Sequence, residues 1–84
     1  MPLSVERKAQ RVLHLVRAAQ DLIRTSGDAG FSMAQLAARA QVSPATPYNL
    51  IGGKSELLRL VIEDEYERFA EKLAGQPARA PLAA

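Results

Sequence analysis

The residues able to do chemistry gather between Ser43 and Ser55, and what they offer is anion binding rather than catalysis. Lys54 falls at the expected start of a helix, where free backbone N–H groups and the helix dipole already favour an anion. Gly52-Gly53-Lys54-Ser55 has the ending of a P-loop, but the upstream glycine is missing and no strand precedes it. His14 is the single histidine and there is no cysteine, so no imidazole or thiolate metal set is expected. Glu63, Asp64, Glu65 and Glu67 are neighbours in sequence, yet successive helical residues point about 100° apart, which makes the run a solvated face rather than a metal cage. No nucleophile stands at a readable spacing from a base. An enzyme is not expected.

Charge supports the same direction. Residues 1–54 carry seven basic and three acidic side chains, net +4, whereas residues 55–84 carry four and six, net −2. That asymmetry suits a first part that faces a polyanion and a last part that does not. With 84 residues, 48% apolar and 24% charged, the chain has the composition of one small globular domain. The absence of cysteine fits a reducing compartment. No stretch reads as a membrane span, and MPLSVERKAQR lacks the apolar core of a signal peptide, so a cytoplasmic protein is expected.

The elements that must position Lys54 and its neighbours read as four helices. Val12, Leu15, Val16, Ala19, Leu22 and Ile23 recur at helical spacing, with Gln10, Arg11, Arg17, Gln20, Asp21 and Arg24 on the other side. This first helix is expected over residues 5–25, ending at Gly27. Phe31 should anchor the loop that follows. Ser32 is placed to cap a second helix over 33–40, with Met33, Leu36, Ala37 and Ala40 on one face. After Gln41-Val42-Ser43, Ser43 is placed to cap a third helix, PATPYNLI, with Pro44 first and Pro47 costing one backbone bond. Gly53 and Glu56 form half of a capping box for a fourth helix over 54–74. Its apolar series Leu57, Leu58, Val61, Ile62, Tyr66, Phe69 and Leu73 reads as one stripe. Leu57 to Ile62 suffice to close the core, leaving Tyr66, Phe69 and Leu73 uncovered, the mark of a partner surface.

Two short helices joined by a three-residue break form a helix-turn-helix signature, with Ala37 and Ala40 small enough for close approach and Val42 plugging the turn. In that motif the second helix enters a major groove. The stretch from Arg11 to Ile62 resembles the DNA-binding domain of the tetracycline-repressor (TetR) family of bacterial transcriptional regulators. FSMAQLAARAQVS matches the second helix and turn, and SPATPYNLIGGKSELL matches the third helix and the start of the fourth. Tyr48, Gly52, Lys54 and the Leu57-Leu58 pair carry the match. Pro47, Ile51 and Gly53 depart from the family's usual residues, as do Asn49 and Leu50.

The resemblance implies an all-α, homeodomain-like three-helix core plus a longer fourth helix. It implies phosphate contacts by Ser32, Tyr48 and Lys54; Arg39 and Arg17 are further phosphate candidates by their charge, against a reading as solvated residues. Base contacts would come from Pro44, Ala45, Thr46 and Asn49, through the thymine methyl, a hydroxyl and an amide that pairs with adenine. The implied partner is double-stranded DNA with a palindromic operator, the implied outcome repression. A homodimer is implied where a C-terminal ligand-binding domain follows. Residues 5–74 would be the DNA-binding domain, and 75–84 a flexible tail or the start of that further domain. These residues alone are expected to dimerise weakly or not at all, with no cofactor, metal or ligand site. The competing reading is a helical protein–protein interaction module with little DNA affinity.

Overall fold

The structure is a computed structural model and describes residues 2–75. Of the tail expected over 75–84, Gly75 is instead the last residue of the fourth helix, and residues 76–84 lie outside the described residues. Four helices follow one another: α1 (Pro2–Ser26), α2 (Met33–Ala40), α3 (Ala45–Leu50) and α4 (Lys54–Gly75). No strand occurs among the described residues. The class is all-α, as expected. α1 begins three residues before the expected Val5, because a proline in the first turn has no N–H to leave unpaired.

Leu15, Leu36 and Leu57 are fully buried and bring α1, α2 and α4 into one core, with Ala19, Val16, Phe31 and Val61 around them. Ala37 and Ala40 are buried too, in keeping with a close approach of α2 to its neighbours. α1 ends on Gly27 at φ +85, its N–H bonded to the Ile23 carbonyl at 2.7 Å. α2 opens with a complete capping box: Ser32 Oγ accepts from Gln35 N at 3.0 Å, and Gln35 Oε1 accepts from Ser32 N at 2.7 Å. It closes on Gln41 in the left-handed conformation, φ 62 and ψ 46. Val42 donates back to the Ala37 carbonyl at 3.0 Å and packs half-buried against the core.

The start of α3 differs from expectation. Ser43 does not cap it through its side chain; Ser43 Oγ pairs with the Thr46 hydroxyl at 2.9 Å instead. The reason lies two bonds away. Pro47 cannot donate to the Ser43 carbonyl, so that carbonyl accepts from Thr46 N at 3.0 Å, and the Thr46 amide no longer needs a side-chain acceptor. Pro47 itself is fully buried. Its carbonyl receives both Ile51 N at 2.9 Å and Gly52 N at 3.2 Å, which ends α3, and Gly52 turns the chain at φ +122. Glu56 Oε1 then accepts from Gly53 N at 3.1 Å, the half capping box expected for α4.

Two surfaces are not as expected. Gln20 is only 5% exposed, its Nε2 bonded to Asp64 Oδ2 at 2.9 Å and its Oε1 accepting from Arg68 at 3.3 Å. It belongs to the α1–α4 contact, not to the solvated side of α1. Asp64 likewise leaves the solvated acidic run and faces inward, meeting Arg68 at 3.2 Å and Arg17 at 3.8 Å. The apolar series of α4 splits accordingly. Leu57 and Val61 are buried, whereas Ile62, expected in the core, is 66% exposed.

Candidate nucleic-acid interface

α3 is six residues long, and its two sides differ sharply. Pro47 is buried, with Leu50 and Ile51 half-buried against the core, and this fixes the orientation of the helix. Pro44, Ala45, Tyr48 and Asn49 then fall on one arc, and all four are exposed. Tyr48 is the most telling of them: an aromatic side chain 56% exposed beside a well-packed turn. Among the described residues neither the Tyr48 hydroxyl nor the Asn49 amide makes a hydrogen bond. Both are available to a ligand.

The remaining candidates are placed differently. Thr46 is half-buried at the rim of α3, its hydroxyl engaged by Ser43. Lys54 is half-buried at the start of α4, where its Nζ donates to the Phe31 carbonyl and lies 4.4 Å from the centre of the Phe31 ring. Ser32 is exposed at the start of α2, its hydroxyl committed to the capping box. Arg39 is exposed and pairs with Asp21 at 3.2 Å. Arg17 is drawn to Asp64 on α4. The structure therefore brings Pro44, Ala45, Tyr48 and Asn49 together and leaves Arg17 tied to α4.

α1 adds residues that the sequence marks only by their charge. A groove of about 180 Å³ runs between α1 and α3, lined by Arg7, Gln10, Arg11 and His14 on one side and Val42 and Thr46 on the other. Arg7, Arg11 and His14 repeat at four and three residues, so one face of α1 presents them together. Arg7 and Arg11 are exposed and form no salt bridge among the described residues. His14 also has a structural duty: Nε2 donates to the Ala40 carbonyl at 2.9 Å, satisfying a group at the end of α2 that the helix cannot bond itself. The signal for this face was in the spacing, but nothing local says that it looks toward α3.

The arrangement is one of donors and cations around a short exposed helix. Among the described residues there is no group of three His, Cys, Asp or Glu fit to hold a metal ion. No described helix is long and apolar enough to cross a membrane. Comparison with family models, with curated proteins and with solved structures finds no match for this chain.

Proposed function

We propose that this chain binds double-stranded DNA as a helix-turn-helix domain, with α3 entering the major groove. The observation that carries the reading is the exposed arc of α3. Pro44, Ala45, Tyr48 and Asn49 are presented outward by a helix whose opposite side is locked by Pro47. Asn49 offers the donor–acceptor pair that matches adenine, Ala45 and Pro44 offer apolar surface for a thymine methyl, and Tyr48 reaches a phosphate. Arg7 and Arg11 flank α3 across the groove and supply the cations that a phosphate backbone requires. Lys54 spends one of its three N–H donors on Phe31 and keeps two for a phosphate. The TetR resemblance of residues 11–62 adds a role in transcription, with repression of a palindromic operator in the cytoplasm as its specific form.

Selection of the full chain against random duplex DNA, followed by anisotropy titration at several salt concentrations, tests this. We expect an enriched site, and a log–log salt slope of about −0.9 for each phosphate held. Binding that is absent, or indifferent to salt, would overturn the reading. A protein-binding module is the second reading, and the outward apolar side chains of α4 favour it. Those residues lie on a different helix from the α3 arc, so the two surfaces are separable by mutation.

A further inference from the structure

α4 carries its apolar residues on the wrong side. Leu57, Val61, Asp64 and Arg68 face α1, whereas Ile62, Tyr66, Phe69 and Leu73 are 66%, 71%, 60% and 57% exposed. Both sets step by four, three and four residues, and at 3.6 residues per turn the second lies roughly 140° around the helix from the first. From residue 62 onward the inward side is therefore polar and the outward side apolar, the reverse of a helix that ends in water. The outward set has the spacing of a coiled-coil seam. This corrects the expectation that these residues continue the core stripe, and the outward turn of Ile62 lengthens the seam from three residues to four.

We propose that α4 pairs, antiparallel and two-fold, with α4 of a second copy of this chain. Charge selects the occupant. Beside the seam stand Glu65 and Lys72 on one flank and Glu63 and Ala70 on the other. When Tyr66 lies opposite the partner's Phe69 and Ile62 opposite the partner's Leu73, Glu65 meets the partner's Lys72. The two-fold axis repeats that contact, giving two complementary pairs. A parallel pair would set Glu65 against the partner's Ala70 and gain neither. Within one chain Glu65 and Lys72 form no salt bridge among the described residues. Tyr66 and Phe69 would pack around the axis as an aromatic cluster. α1 packs on the other side of α4, and its Arg24 reaches the edge of the seam, lining a groove with Glu65, Phe69 and Lys72. This surface is independent of the DNA-binding reading and gives the weak association expected of these residues a defined interface.

Sedimentation equilibrium of the 84-residue chain, from about 10 μM to about 1 mM, tests the proposal. The expected result is a monomer–dimer equilibrium within that range. Phe69→Glu should leave a monomer throughout with unchanged helicity, since Phe69 is 60% exposed and lies outside the core cluster. Glu65→Lys, and separately Lys72→Glu, should each raise the dissociation constant roughly tenfold. The chain carrying both exchanges should return to within about twofold of the original, and an equimolar mixture of the two single variants should associate in preference to either alone. A monomer at every concentration, a dimer that survives Phe69→Glu, or a double exchange that fails to restore association would each overturn the proposal.

Discussion

Lys54 Nζ stands over the Phe31 ring, 4.4 Å from its centre, and donates to the Phe31 carbonyl. The contact spans 23 residues and ties the start of α4 to the loop between α1 and α2. Lys54 therefore has a structural duty whatever it binds. A cation over an aromatic face contributes about 0.5–1 kcal/mol at exposed sites and more when desolvated.

Lys54→Met separates the two duties, because methionine keeps most of the side-chain packing and removes the charge. We expect a lower melting temperature, by roughly 4–8 °C for each kcal/mol lost. On DNA we expect weaker binding to all sequences alike, with the salt slope reduced by about one. A lower melting temperature with an unchanged slope would confine Lys54 to its structural duty.

Asn49 and Thr46 should diverge, although their types alone suggest similar roles. Asn49 is exposed with a free amide, so Asn49→Ala should alter the preferred base at one position, at about 1–3 kcal/mol for the best site. The Thr46 hydroxyl is bound to Ser43 at 2.9 Å and sits at the rim. Thr46→Ala should lower affinity by less than about 1 kcal/mol without changing preference, as read by repeating the site selection with each variant. A changed base preference in Thr46→Ala would show that the hydroxyl leaves Ser43 to read DNA.

Local signals were legible where partners are close in sequence. The cap at Ser32, the turn at Gly27 and the single apolar face of α2 all follow from residues within one or two helical turns. What could not be read depends on orientation across the fold. The two seams of α4 have the same spacing, and hydropathy favours the one that faces away from the core. Gln20 follows Val16 by one helical turn, so its position is a core position, but its polar side chain conceals this until Asp64 and Arg68 are seen opposite. The candidate site shows the same division. The exposed arc of α3 follows from burying Pro47, whereas the approach of Arg7 and Arg11 to α3 depends on how α1 lies across it.

Arg7 and Arg11 carry the third prediction. Both are exposed and outside the core, so replacing both by alanine should leave the melting temperature within about 2 °C. The salt slope of DNA binding should fall by about two, one for each phosphate that no longer meets a guanidinium. Titration of duplex DNA at several salt concentrations measures this. An unchanged slope would place the phosphate path away from α1.

Asp64 carries the last prediction, which concerns the α1–α4 joint alone. One carboxylate oxygen accepts from Gln20 at 2.9 Å and lies within 3.2 Å of Arg68 and 3.8 Å of Arg17. Asp64→Ala leaves the buried Gln20 amide without this acceptor and sets two guanidinium groups near each other without a counter-charge. The cost expected is about 1–3 kcal/mol, chiefly the unpaired amide. Gln20→Leu instead removes the buried polar group and fills its place with apolar volume, leaving Asp64 to Arg17 and Arg68. It should cost less than Asp64→Ala, because replacing a buried polar group by an apolar one of similar size is close to neutral. In the double variant the two effects should not add, since both remove the same hydrogen bond. Urea unfolding of the four proteins measures all three quantities, and additive effects would show that Gln20 and Asp64 act separately.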